Sequence, residues 1–148
     1  MRIALKLIAA AAAALSAQGV AAADGDKPLA TIFKNPQCTC CESYGEYLRA
    51  NGYPVKMVAT HDLALIKQRQ GIPAGLEGCH TALVGGYFID GHVPVQTFDR
   101  LLAERSAISG ISLPGMPTGS PGMGGPKTET WTIVAVAPDG ETSVYARH

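Results

Sequence analysis

The stretch Leu29 to Cys41, "LATIFKNPQCTCC", constrains the fold more than any other part of the chain. Its first six residues form a β-branched and aromatic run that reads as a buried strand, and the breaker pair Asn35-Pro36 ends it. Three cysteines follow within four positions, Cys38, Cys40 and Cys41. Directly after them, "ESYGEYLRANG" sets Tyr44, Tyr47 and Leu48 at i, i+3, i+4 spacing, and Gly52 stands where a helix would close in left-handed backbone. The cysteines therefore fall where a strand hands over to a helix N-terminus.

The pattern continues in the same alternation. "YPVKMVAT" reads as a second strand with Val55, Met57 and Ala59 on one face. Asp62 is placed to cap a helix through "LALIKQRQ", with Leu63, Ile66 and Gln70 along one side and Gly71 closing it. "HTALVGGYFIDGHV" gives two apolar runs joined by Gly85-Gly86, a loop suited to a tight hairpin. Pro94, at an expected N1 position, opens "VQTFDRLLAER", whose Val95, Phe98, Leu101 and Leu102 make an apolar stripe. Strand, helix, strand, helix, hairpin, helix predicts an α/β mixed sheet with flanking helices, the order of the thioredoxin-like fold. From residue 109 onward, "SGISLPGMPTGSPGMGGP" reads as a long Gly/Pro-rich loop carrying Met116 and Met123. "TETWTIVAVAPDGETSVYARH" is expected to add a C-terminal β-hairpin around the Pro-Asp-Gly turn.

The N-terminus reads differently. Arg2 and Lys6, an apolar run from about Leu7 to Leu15, and Ala21-Ala22-Ala23 have the form of a secretory signal cleaved after Ala23. An uncleaved anchor is the alternative, but the run is short of the roughly 20 strongly apolar residues a span needs. Residues 24–148 then form a single domain, and the bacterial style of the leader places it in a periplasm. Without Arg2 and Lys6, ten basic residues face twelve acidic ones. No basic run or aromatic-interleaved patch remains, which argues against nucleic acid as partner, and no second stretch suits a bilayer.

Four cysteines in a small exported chain ordinarily mean two structural disulfides. The spacing resists that here, because adjacent Cys40 and Cys41 diverge and only one of the three clustered thiols can pair with Cys79. Cys38 and Cys41 have the C-x-x-C spacing of a redox pair, and a helix N-terminus favours thiolate over thiol. Thiolate serves both disulfide exchange and metal binding. A two-thiol enzyme has no use for Cys40, whereas thiolates with thioethers select Cu(I), with zinc competing for the thiolates. The surplus of sulfur over what one Cu(I) needs points to more than one ion.

Cys79 lies in "IPAGLEGCHTALV", just before the third strand, and the expected fold carries it and His80 to the cluster. His80 is either a nitrogen ligand or a strand-edge histidine bonded to backbone. His92, in "DGHVP", is read as structural, with lining of a pocket as its second role, and His61 and His148 as solvent-facing. Met57 belongs to the core. Met116 and Met123, thioethers in a polar loop with little core to fill, are candidate copper ligands.

Taken together, "CTCC", "GCHTALVGGYFIDGHVP", "LLAER" and "LPGMPTGSPGM" resemble the CopG-type periplasmic copper-resistance proteins, from about Ile32 to Met123. The resemblance implies a thioredoxin-like fold that binds several copper ions in a cysteine-bridged cluster, with redox chemistry between Cu(I) and Cu(II). Its cysteines fall on Cys38, Cys40, Cys41 and Cys79, its Cys-His-Thr stretch on Cys79 to Thr81, and its Pro-Gly-Met loop on Met116 and Met123. Tyr44 stands where relatives usually place Trp. Expected partners are metal ions, and periplasmic copper chaperones or efflux components. The rival readings are a metal-free thiol-disulfide oxidoreductase using Cys38 and Cys41, and a disulfide-stapled interaction module whose long loop is the binding surface.

Overall fold

The computed structural model describes residues 27–148; the expected leader and its cleavage point lie outside them. One seven-stranded mixed sheet organises the chain, in the order β2-β1-β3-β4-β5-β6-β7. Strand β1 (Ala30–Lys34) pairs in parallel with β2 (Val55–Ala59), and helix α1 (Thr39–Ala50) makes the crossover between them. Helix α2 (Leu63–Arg69) and a short 3-10 turn (Ala74–Leu76) lead to β3 (His80–Val84), which runs antiparallel to β1 on its other side.

Strands β3 and β4 (Tyr87–Gly91) form the hairpin expected at Gly85-Gly86, and both glycines adopt positive φ, +55° and +89°. Helix α3 (Val95–Glu104) follows, with Pro94 one position earlier than expected, at the N-cap. Val95, Phe98 and Leu101 are buried and Leu102 half-buried, as the stripe predicts. Asp62 does precede α2, but its side chain makes no capping bond.

One correction concerns the segment after Ile108. Gly110–Leu113, expected to open the long loop, forms strand β5, parallel to β4 and wholly buried. A strand buried on both faces shows no apolar-polar alternation, so its pattern is hidden in four residues. Gly110 admits the crossing, since a Cβ there would run into the Phe88 backbone and ring. Strands β6 (Thr132–Val136) and β7 (Thr142–Arg147) extend the sheet antiparallel, with a register irregularity between Ile133 and Val134.

The main core lies between the sheet and helices α1 and α3, around Ile32, Tyr44, Leu48, Ile89, Phe98, Leu101, Ile111 and Ile133. Burial of such side chains contributes roughly 1.5–3 kcal/mol each. At the β3–β4 end the backbone closes tightly: a Cβ on Gly78 would stand 2.8 Å from Gly91 Cα, and Gly91, at φ +73°, presses on the carbonyl oxygen of Leu113. Among the described residues, no helix is long and apolar enough to cross a membrane.

Candidate metal centre

The strand-to-helix turn after β1 positions the three clustered cysteines. Cys38 occupies the N-cap position of α1, and Cys40 and Cys41 lie in its first turn. Lys34, at the end of β1, is buried and aims its ammonium under this turn, toward the carbonyl oxygens of Asn35 (3.3 Å), Pro36 (3.2 Å) and Cys38 (3.4 Å). It also pairs with Glu42 at 2.9 Å. These bonds add to the Cys38 N–H bond on the Asn35 carbonyl (3.0 Å) and hold the turn that carries the thiols against the end of β1.

Cys79 reaches the same place from the loop before β3. Beneath it, Asp90 accepts hydrogen bonds from the Gly78 N–H, the Thr81 hydroxyl and Lys67, a pair buried on both sides. Lys67 also donates to Thr81 Oγ1 at 3.0 Å. The cost of burying these charges is met by their mutual hydrogen bonds, and the result is a fixed approach for the Cys79 backbone.

The four sulfurs converge. Cys38 and Cys41 form a disulfide with Cα atoms 5.5 Å apart, and Cys40 and Cys79 are free thiols. Cys40 Sγ lies 3.5 Å from Cys38 Sγ and 3.6 Å from Cys79 Sγ, and Cys41 Sγ is also 3.6 Å from Cys79 Sγ. All four donor atoms fall within 4.8 Å of one another. With metal–sulfur bonds of about 2.3 Å, sulfurs sharing one ion in tetrahedral geometry stand about 3.8 Å apart, so the three unbonded spacings need open only by a few tenths of an ångström, while Cys38 and Cys41 must first be reduced.

A second donor group shares Cys79. His80 and His92, both buried, bring ring nitrogens within 4.8 Å of its sulfur and of each other. His92 Nε2 is 3.1 Å from Cys79 Sγ, and His80 Nδ1 is 3.4 Å away. His92 Nδ1 lies 2.6 Å from the Pro121 carbonyl oxygen. A carbonyl can only accept, so Nδ1 carries the proton and the lone pair of the neutral ring sits on Nε2, directed at the sulfur. His80 Nε2 is buried with no hydrogen-bond partner among the described residues, a polar atom left unused by the protein. Tyr44 packs beside both rings, its centroid 4.6 Å from that of His80 and 5.3 Å from that of His92, and donates its hydroxyl proton to the Val93 carbonyl.

Burial sets the protonation states. It pushes the Cys79 thiol up to about 12, with Cys40 adding to the effect. It holds His80 well below the ordinary imidazole range, helped by His92 and Lys67, and lowers His92 against the opposing pull of the Pro121 carbonyl. The histidines are therefore neutral at pH 7 and able to donate lone pairs. Thiolate sulfur and neutral imidazole are soft-to-borderline donors that suit Cu(I) and Zn(II) and not hard cations.

Sequence reasoning placed Cys38, Cys40, Cys41, Cys79 and His80 in one neighbourhood, and the structure brings them together. His92, read as structural with lining of a pocket as its second role, bonds the Pro121 carbonyl through Nδ1 and faces Cys79 with Nε2, because the hairpin register sets Cys79 and His92 opposite each other two residues beyond the Thr81–Asp90 pair. Met116 is exposed in left-handed backbone. Met123 is half-buried in a turn next to Gly122, which abuts α1 at Ser43 and Tyr44. His61 and His148 are exposed, as expected, although His148 Nε2 meets Thr97 Oγ1 at 2.6 Å.

A family model described as "Protein of unknown function, DUF411" matches residues 76–123. The chain is similar to two solved structures titled "Copper resistance protein copG", in forms 2 and 1. The first shares 33% identity with a TM-score of 0.78 and the second 32% with 0.77. Each match covers 82% of this chain and 98% of the other. No match is found among curated proteins. With identity of this level over nearly the whole of the solved chains, and with its cysteines gathered at one site, the chain belongs to the CopG family of copper resistance proteins.

Proposed function

We propose that this is an exported copper-binding protein of copper tolerance, which holds more than one Cu(I) in a cluster bridged by Cys38, Cys40, Cys41 and Cys79 and interconverts Cu(I) and Cu(II). The observation that carries this reading is the convergence of four sulfurs within 4.8 Å of one another, with two neutral imidazoles within hydrogen-bonding reach of one of them, Cys79. His80 and His92 complete the site, and Met116 and Met123 of the loop shield or extend it. Zinc is the expected competitor. The leader ending at Ala23 would deliver residues 24–148 to the periplasm as one domain. The order of strands and helices supports a thioredoxin-like fold, to which β6 and β7 add a terminal hairpin. Copper chaperones or efflux components would be its partners.

The reading is tested by anaerobic loading of the reduced protein with Cu(I). More than one copper per chain is expected, with loss of the cluster in the Cys40→Ser, Cys79→Ser double variant. A stoichiometry below one, or full retention in that variant, would sink it.

The disulfide Cys38–Cys41 at a helix N-terminus favours a second reading, a metal-free thiol-disulfide oxidoreductase. That activity would survive Cys40→Ser in an insulin-reduction assay and would not depend on copper.

A further inference from the structure

Resting on the copper-binding reading, we propose that the Cys38–Cys41 pair is the electron source for reduction of Cu(II), while Cys40, Cys79 and His92 are the donors that stay behind to hold the Cu(I) produced.

The site contains two kinds of sulfur side by side. Cys38 and Cys41, at i and i+3 on the first turn of α1, are the two that are bonded to each other, and Cys40 and Cys79 remain thiols although each lies within 3.6 Å of a member of the bonded pair. Cys40 cannot readily join its neighbour Cys41, because adjacent side chains diverge. The pair is thus a two-electron couple built into a donor set, and closing it leaves a second, smaller set intact: Cys40 Sγ and Cys79 Sγ 3.6 Å apart, with His92 Nε2 3.1 Å from Cys79. Two thiolates and an imidazole satisfy one Cu(I).

The balance is direct. The two thiolates of Cys38 and Cys41 each give one electron to a Cu(II); a sulfur–sulfur bond forms, and two Cu(II) become two Cu(I). Where the sulfurs begin as thiols, two protons leave for solvent. The same event removes two of the four sulfur donors, so one Cu(I) keeps its place on Cys40, Cys79 and His92 and the other is released. The site reopens by exchange with an external dithiol. That thiol attacks the half-exposed Cys38, and the departing thiolate is Cys41, buried in the first turn of α1 where the helix dipole stabilises it. The external dithiol ends as a disulfide, and Cys38 and Cys41 end reduced.

The test uses the full mature chain, reduced, stripped of metal and mixed anaerobically with two equivalents of Cu(II) sulfate. Expected are loss of the Cu(II) electron paramagnetic resonance signal, two Cu(I) per chain captured by a chromogenic chelator after denaturation, and consumption of two thiols. Peptide mapping should place the new bond between Cys38 and Cys41. Persistent Cu(II), Cu(I) formed with all four thiols still alkylated, or a new bond that includes Cys40 or Cys79 would each overturn the proposal. In Cys38→Ser, which has lost one of the two electron-donating thiols, reduction should slow at least about tenfold; an unchanged rate overturns the proposal as well. Should wild-type protein fail to retain Cu(I) supplied directly, the copper-binding reading itself falls, and this proposal with it.

Discussion

The imidazole of His92 is held between two segments of chain, donating through Nδ1 to the Pro121 carbonyl and facing Cys79 with Nε2. The Gly/Pro-rich loop, 29 residues further along the sequence, therefore fixes the ring's tautomer and its aim. His92→Ala should lower Cu(I) affinity by about 10- to 100-fold, measured by competition with a chelator of known affinity, while the far-ultraviolet dichroism of the metal-free protein stays unchanged.

The two buried lysines should differ in cost. Lys67 faces a carboxylate with no exposure, whereas the Glu42 partner of Lys34 is 52% exposed. Lys67→Met leaves Asp90 charged and unpaired in the interior and should destabilise by about 3–5 kcal/mol. Lys34→Met should cost clearly less, because water still solvates Glu42 and the remaining loss is that of bonds to carbonyls. Urea unfolding of the metal-free protein at pH 7 ranks them, and an equal or reversed ranking would contradict the assignment.

Acid should weaken the metal-free fold through its two buried histidines. His80 and His92 are held neutral with lowered folded-state affinities for protons, while in the unfolded chain they protonate near 6.5. Below that pH the unfolded state binds more protons than the folded one, so stability is full above about 6.5 and is lost as pH falls toward the lowered folded values. The slope is about 1.4 kcal/mol per pH unit for each histidine. Unfolding midpoints at pH 7.5 and 5.5 check it, and the His80→Phe variant should flatten the dependence.

Two glycines of the loop separate backbone strain from contact. Gly122 and Gly124 both adopt positive φ, +83° and +68°, but a Cβ on Gly122 would lie 2.8 Å from the Tyr44 nitrogen whereas nothing stands within 4 Å of one on Gly124. Gly124→Ala should cost only the conformational penalty of about 1–2 kcal/mol. Gly122→Ala should cost more and lift the loop from α1, breaking the Pro121–His92 bond. Limited proteolysis between Pro114 and Pro126 would read the difference.

Much of this was legible in the residues, and the gaps have physical causes. Strand β1, the helix after it and the β3–β4 hairpin each carry a clear period, and Asn35-Pro36 marks the handover that sets the cysteines on α1. Strand β5 carries no period because all four of its residues are buried. His92 was within reach: a two-residue turn at Gly85-Gly86 fixes register, and counting outward from Val84 and Tyr87 sets residue 92 opposite residue 79. What sequence hides is the Lys67–Asp90 pair, since a lysine on a short helix reads as solvated until the strand it packs on is known.

The close approach of Gly78 to Gly91 bears on how such a chain can change over generations. A methyl group at 78 meets the backbone of 91, and one at 91 meets Leu113, so neither position offers a neighbouring sequence through which drift can pass. Both flank donors, Cys79 and His92. The floor of the site is thereby closed to gradual variation, while the outer strand β7, with four of its six residues exposed, can be rewritten one residue at a time. Novelty in a chain built this way would enter from the far edge of the sheet, leaving the metal-facing end as it stands.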